Sequence, residues 1–331
     1  MLEHLRPGEP ALPESGARTL VVLPDTQYYV ACKSAYLADQ VNYVLASLET
    51  RKIALVLTVG DLTDHNTDDE WQFFRQAVTP LLERVPLILT TGNHDHGAEG
   101  AARTRGSGLV RTFGRPPEKS RALLAAVPSD GNWENAYYRV PLGKSTLGVL
   151  TLEWSPREAS VKWAAGVLDR YPDDRLVFAT HAYLYHDDTR YDWDRFQDRQ
   201  EWNPRAYGTA RLDLARDPGP GNWAPDGAYD GEMLWQRLLK SRPGLWLTLS
   251  GHVLVDGQGY LASRGDSQNL VHQMLANFQM LNHGGAGFLR LLEIAADGRT
   301  LRVFTYSPSL DRTATGPGEQ FEVTLDPPLA L

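Results

Sequence analysis

Five apolar runs in this sequence are each followed, within a few residues, by a side chain that can bind a metal ion. The runs occupy residues 19–23, 53–59, 86–91, 175–180 and 245–249, and their lengths and branched side chains predict β-strands. The early runs alternate with helical patterns, which predicts parallel pairing in a mixed α/β architecture. Because such folds place their sites beyond the carboxyl ends of the strands, we expect the side chains that follow the runs to converge.

The side chains that follow the runs carry oxygen and nitrogen donors. These residues are Asp25, Gln27, Asp61, Asn93, His181 and His252. Carboxylate, amide and imidazole groups form a set that suits Mn, Fe, Zn or a similar divalent ion. Each short motif taken alone is also an ordinary turn sequence. Their joint order, each after a strand, predicts one or two divalent metal ions bound at a common site.

The rest of the chain predicts one large domain with an insertion. Residues 1–17 are rich in Pro, Glu and Gly and predict a flexible N-terminal arm, which leaves residues 18–331 as a single domain. Residues 183–229 combine many aromatic side chains with Asp, Arg, Pro and Gly, and we interpret them as an inserted cap. That cap either packs on itself or forms a platform for a ring on the substrate. Residues 97–119 predict a surface loop.

Composition and charge exclude several classes of protein. The chain has 331 residues, 42% of them hydrophobic, which is enough for a substantial core. Its net charge of −8 argues against a general nucleic-acid binding surface. No apolar stretch is long enough to span a membrane. A single cysteine, Cys32, permits a reducing compartment. We therefore expect a cytoplasmic protein, or a secreted one if a leader precedes this chain.

The order of these motifs resembles a known family. The series D-x-[HQ], G-D, G-N-H-[DE], a lone His and G-H is similar to the calcineurin-like metallophosphoesterases, over about residues 20–306. The stretches at residues 25–29, 180–184 and 305–308 resemble a bacterial branch of that family. The resemblance implies a four-layer α/β/β/α sandwich of two mixed sheets flanked by helices. It also implies a phosphate ester substrate, either a small molecule or a macromolecule.

The resemblance further implies a role for each motif residue. Asp25, helped by Gln27, would bind a first metal, and Asp61 would bridge the two ions. Asn93, His181 and His252 would bind the second ion. A metal-activated hydroxide would then attack a phosphomonoester or phosphodiester. His94 would be the general acid, oriented by Asp95, because an imidazole pKa near about 6.5 can be raised by a carboxylate.

Two positions depart from the family pattern. Gln27 stands where many members have His, and Leu254 stands where a second His is common. Both changes weaken the first metal site. Asp64, His65 and Asp256 are nearby candidates to compensate. These departures support an alternative hypothesis, in which the chain is a non-catalytic or single-metal protein that binds a phosphoryl ligand on the same fold.

Two further histidines are candidates for contact with the substrate. His186 follows the His181 motif closely, and His283 lies in a glycine-rich loop that could approach phosphate. Asn93 is a third candidate, since its amide could contact a phosphoryl oxygen as well as a metal. For both histidines a purely structural role is the more common case.

Overall fold

The computed structural model describes residues 4–207 and 228–331. The strands within these residues are Leu5–Pro7 (β1), Arg18–Leu23 (β2), Ile53–Thr58 (β3), Leu87–Ile88 (β4), Leu124–Ala126 (β5), Ala136–Leu142 (β6), Ser145–Thr151 (β7), Arg175–Ala179 (β8), Leu245–Ser250 (β9), Gln258–Arg264 (β10), Leu270–Ala276 (β11), Leu289–Ile294 (β12), Thr300–Ser307 (β13), Arg312–Ala314 (β14) and Phe321–Thr324 (β15).

The strands form two mixed sheets. The first has the order β1-β14-β13-β12-β2-β3-β4, and β15 pairs with β13. The second has the order β10-β11-β9-β8-β7-β6-β5. β2, β3 and β4 run parallel in the first sheet, and β7, β8 and β9 run parallel in the second. The parallel strands end at the β4 edge of the first sheet, whereas in the second sheet they lie at the centre and include β11, which is parallel to β9.

Helices cover the outer faces of both sheets. They are Gln27–Ala31 (α1), Tyr36–Ser47 (α2), Asp68–Val78 (α3), Gly108–Phe113 (α4), Glu118–Arg121 (α5), Glu158–Arg170 (α6), Trp193–Phe196 (α7), Gly231–Leu234 (α8), which continues as a π-helical turn over Trp235–Leu239, and Asn282–Gly285 (α9). Thr67 caps α3 by accepting a hydrogen bond from the backbone N–H of Glu70.

Successive residues of the central strands lie in different cores. Val56 of β3 packs toward α2 and α3, whereas Leu57 faces the space between the sheets. Val177 of β8 shares that inter-sheet core, while Phe178 packs toward α6 and α8. Alternate strand residues point to opposite faces, so burial of both faces explains why these strands are continuous apolar runs. The predicted four-layer sandwich is confirmed.

The predicted flexible arm differs from the structure. Leu5 pairs with Ala314 and Pro7 with Arg312, so β1 joins the edge of the first sheet. Arg51, which is 1% exposed, holds the next residues by donating to the Glu9 carboxylate at 2.8 Å. The apolar pattern missed this strand because β1 is exposed and paired through its backbone.

Two other stretches also differ from the sequence predictions. The predicted surface loop at residues 97–119 contains α4 and the start of α5. Asn66 fixes this segment, because its side chain donates to the carbonyl of Gly97 and accepts from the N–H of Gly108. In the predicted cap, residues 208–227 lie outside the described residues. Its described flanks pack inward, with Tyr183 and Tyr191 fully buried.

Across residues 4–207 and 228–331, no helix is both long and apolar enough to cross a bilayer.

Candidate metal centre

Asp61, His181 and His252 form a buried cluster where the two sheets meet. Asp61 follows β3 of the first sheet, and the two histidines follow β8 and β9 of the second. One ligand atom from each residue lies within 4.8 Å of the others. Asp61 Oδ2 is 3.1 Å from His181 Nε2, which is 3.2 Å from His252 Nδ1. Residues that are far apart in the sequence therefore share one centre.

Hydrogen bonds fix which nitrogen of each ring faces the cluster. His181 Nδ1 lies 2.7 Å from the Val59 carbonyl oxygen, and His252 Nε2 lies 2.7 Å from that of Trp202. A carbonyl oxygen only accepts, so these nitrogens carry the protons of the neutral rings. His181 Nε2 and His252 Nδ1 then present two lone pairs to each other. A shared cation, either a proton or a metal ion, removes the repulsion between these lone pairs, and this is the usual orientation of metal-binding histidines.

Three buried oxygens around this cluster are free to bind a cation. Asp25 Oδ1, Gln27 Oε1 and Asn93 Oδ1 have no hydrogen-bond partner among the residues that the structure describes. The other polar atom of Asp25, Oδ2, accepts from the backbone N–H of His252 at 3.0 Å. Gln27 Nε2 donates to Asp64 at 3.1 Å. Buried acceptors are normally satisfied, so the donor set fits one or more divalent ions.

Glycines allow the ligand loops to approach this closely. A Cβ atom on Gly92 would lie 2.2 Å from Asp61 Oδ1, and one on Gly251 would lie 2.1 Å from Asp25 Oδ1. Both distances are far below van der Waals contact, so neither position accepts a side chain without displacing a carboxylate. The glycines that precede Asn93 and His252 are therefore part of the architecture of the centre.

The electrostatics of the cluster also favour a bound cation. Burial opposes ionisation of Asp61, but the neighbouring His181 lowers the pKa of its carboxyl. Burial raises the pKa of Asp25. Burial opposes protonation of His181, yet Asp61 and Asp25 raise its pKa to about 9. Burial and then His181 lower the pKa of His252 to about 3. The two rings thus hold one positive charge between them, which a metal ion would replace.

His94 lies beside the cluster and is held by Asp64. Its Nδ1 donates to the Asp64 carbonyl at 2.8 Å and lies 3.2 Å from the Asp64 carboxylate. Its backbone N–H donates to Asp61 Oδ1 at 2.9 Å. Burial lowers the pKa of His94, but the charge of Asp61 and the bonds to Asp64 raise it to about 10. The ring is 34% exposed, so solvent and ligands can reach it.

Asp95 does not orient His94, which corrects the sequence-based expectation. Its carboxylate accepts backbone hydrogen bonds from Leu62 at 3.0 Å, Thr63 at 2.8 Å and Gly92 at 2.9 Å. It also accepts from the Thr63 hydroxyl at 2.9 Å. Asp95 therefore joins the loop after β3 to the loop after β4. A carboxylate placed one residue after His94 cannot be assumed to face the same way.

We expect Asp95→Asn to destabilise the fold. The amide would place an NH₂ group against backbone donors in a fully buried position, which should lower the free energy of unfolding by about 3 kcal/mol. Urea denaturation of metal-free protein would measure the loss, with the exposed Asp173→Asn as control. An unchanged unfolding midpoint together with a large loss of turnover would instead support a catalytic role for Asp95.

The remaining candidate residues lie apart from the buried cluster. His65 pairs with Glu70 at 2.9 Å, and Asp256 is exposed. The ring of His186 packs against Tyr185, with 4.4 Å between the centroids. His283 is exposed, and its ring lies 6.1 Å from that of Tyr36. Within the described residues, none of these contacts connects either His186 or His283 to the cluster.

Sequence reasoning misses the aromatic side of the centre. Trp154 is fully buried, and its ring centroid lies 5.7 Å from that of His181 and 5.1 Å from that of His252. Tyr207 packs edge-on against Trp154 at 5.0 Å. Burial, and then the charge of Asp61, raise the pKa of the Tyr207 phenol. Trp154 lies three residues beyond the end of β7, so position alone could have indicated it, but an indole is not a metal ligand.

Comparison with known proteins identifies the family. The sequence profile of the calcineurin-like phosphoesterases matches residues 19–255. The chain is 25% identical over 329 residues to the uncharacterized protein YvnB of Bacillus subtilis (strain 168), a match that covers 95% of this chain and 22% of that protein.

Two solved structures align with most of this chain. Purple acid phosphatase PPD1 from yellow lupin (Lupinus luteus) seeds has a TM-score of 0.47 and 16% identity, over 95% of this chain and 55% of its own. GAP50, the anchor in the inner membrane complex of Plasmodium, has a TM-score of 0.48 and 10% identity, over 94% of this chain and 89% of its own. The profile match spans most of the sequence, and this chain therefore belongs to the calcineurin-like phosphoesterase family.

Proposed function

We propose that this chain hydrolyses phosphate esters with the help of one or two divalent metal ions. The observation that carries the proposal is the convergence of two imidazole nitrogens, His181 Nε2 and His252 Nδ1, which face each other at 3.2 Å beside the Asp61 carboxylate. Family membership supports the same activity. Phosphomonoesters and phosphodiesters are both suitable substrates for such a centre.

The buried donors divide into two sets around Asp61. Asn93, His181 and His252 would hold one ion together with Asp61. Asp25 and Gln27 would hold the other, with Asp61 shared between them. Bound divalent ions would supply positive charge to the phosphoryl oxygens and lower the pKa of an attacking water. The protein contributes a rigid and largely buried set of donors, fixed by backbone hydrogen bonds.

His94 is suited to protonate the leaving oxygen. Asp64 occupies its Nδ1, which leaves Nε2 as the ring nitrogen available to a substrate. The raised pKa keeps the imidazolium protonated at neutral pH, so Nε2 can donate. Asp64 also accepts from Gln27, which connects the acid to the donors of the first ion. We therefore assign His94 as general acid and Asp64 as the residue that positions it.

Two sequence positions favour a second candidate function. Leu254 has no donor atom, and Gln27 offers one neutral oxygen, so the set around Asp25 is weaker than the set around His181. In the described residues, the cluster of acidic and histidine ligands comprises Asp61, His181 and His252. A protein that binds one ion and a phosphoryl ligand without turnover would fit this asymmetry.

Metal analysis combined with a substrate panel tests both candidates. The protein as isolated would be analysed for metals and then treated with a chelator. It would next be assayed on p-nitrophenyl phosphate and bis(p-nitrophenyl) phosphate with Mn, Fe or Zn added back. We expect turnover that disappears with the chelator and returns with metal, which would exclude the second candidate. Phosphate binding with about one ion per chain and no turnover would exclude the first.

A further inference from the structure

We propose that the Tyr207 hydroxyl donates a hydrogen bond to a phosphoryl oxygen of the bound substrate. This makes Tyr207 a substrate-contacting residue supplied by the predicted cap. The inference rests on the phosphate ester hydrolysis proposed above, and it adds a contact that the metal-binding motifs do not contain.

The ring of Tyr207 is placed at the metal centre by aromatic packing. Its centroid lies 6.1 Å from that of His252, and it meets Trp154 at 5.0 Å with the ring planes 85° apart. Trp154 in turn contacts both His181 and His252. The phenol therefore belongs to the same cluster of side chains as the metal ligands, although it comes from a different part of the sequence.

Hydrogen bonds hold the segment that leads to Tyr207. The Trp202 carbonyl accepts from His252 Nε2 at 2.7 Å, which fixes the start of the segment to a metal ligand. Asn203 then caps a short turn by accepting from the backbone N–H of Arg205 at 3.0 Å. The backbone N–H of Tyr207 closes the turn on Pro204. These bonds fix the backbone that carries the Tyr207 side chain.

The hydroxyl of Tyr207 differs from that of its neighbour Tyr191. Both rings lie 6.1 Å from that of His252. The Tyr191 hydroxyl donates to the Glu201 carbonyl at 2.9 Å, whereas among the described residues no hydrogen-bond partner is found for the Tyr207 hydroxyl. The Tyr207 side chain is half-buried, and its hydroxyl carries a proton that it can donate. Tyr207 therefore has a donor to offer.

Phosphate is the ligand that best matches this donor. A phenol is protonated at neutral pH and can donate one hydrogen bond. Metal ions bound by His252 and its neighbours would draw phosphoryl oxygens toward the same place, and an anionic oxygen is the strongest acceptor for such a donor. The carboxylates nearest the centre, Asp25 and Asp61, would bind the metal ions, so the Tyr207 hydroxyl would donate to the phosphate instead.

Binding of inorganic phosphate to the metal-loaded protein tests this role without turnover. For Tyr207→Phe we expect the dissociation constant for orthophosphate, measured by calorimetry, to rise about 10-fold, the loss of one charge-assisted hydrogen bond. The metal content should not change, because phenylalanine keeps the ring against Trp154. Tyr191→Phe is the matched control, since its hydroxyl bonds within the cap, and we expect it to bind phosphate as the wild type does.

Three outcomes would contradict the inference in different ways. Equal phosphate affinity of Tyr207→Phe and the wild type would overturn the role of Tyr207 alone. An equal loss in Tyr191→Phe would show that the effect is a general disturbance of the cap, which also overturns it. A metal-loaded wild type that neither binds orthophosphate nor hydrolyses the panel of esters would overturn the proposed function itself.

Discussion

Asp61→Asn should reduce kcat/KM by about 1,000-fold or more and remove most of the bound metal. The asparagine would keep an oxygen for the His94 N–H, but it would lose the charge that both sets of donors share. Its NH₂ group would also face His181 Nε2, where an ion has to bind. Metal analysis and steady-state kinetics of the purified variant would measure both effects.

The control for this variant is a carboxylate outside the centre. Asp69 is 84% exposed and pairs only loosely with Lys33, at 3.6 Å. Asp69→Asn should therefore keep the metal content and turnover of the wild type. If Asp61→Asn also kept them, the buried cluster would not be the metal centre.

His94→Gln should lower kcat by about 100-fold to 10,000-fold while leaving the metal content unchanged. The side chain of His94 is not among the metal donors, and the backbone N–H that binds Asp61 is kept. The loss should be larger for phenyl phosphate than for p-nitrophenyl phosphate, because p-nitrophenolate departs readily without a proton. Comparing the two substrates therefore separates loss of an acid from general damage.

A neighbouring histidine provides the control for His94→Gln. The His65 ring is 53% exposed and lies closer to the Glu70 carboxylate, at 2.9 Å, than to that of Asp64, at 3.4 Å. His65→Gln should leave kcat close to that of the wild type. A loss in His94→Gln that is equal for both leaving groups would contradict the assignment of His94 as general acid.

The fold was largely predictable because both faces of its central strands are buried. β2, β3, β8 and β9 each appear as an apolar run, and the family resemblance built on the motifs after them is confirmed by the profile match. The sequence did not predict strands whose side chains are too exposed to form an apolar run. β1 is exposed throughout, and β10 is only partly buried, so backbone pairing rather than side-chain periodicity creates these strands.

The candidate site was predictable as a set of residues but not as a set of contacts. Residue type and position after a strand were enough to select Asp61, His181 and His252. Hydrogen-bond partners depend on the path of each loop, which the sequence does not reveal. Asp95 therefore binds backbone N–H groups while Asp64 holds His94. Tyr207 is reached through folding of the insertion and has no sequence motif.

The hydrogen bond between His252 and the Trp202 carbonyl makes the insertion and the inorganic centre thermodynamically interdependent. If the segment around Trp202 moved away, the His252 proton would be free to shift to Nδ1, the atom that an ion requires. Because the segment in its present position favours ion binding, a bound ion stabilises that position of the segment by an equal free energy. Through this reciprocity, occupancy of the centre and the position of the segment around Trp202 form a single equilibrium.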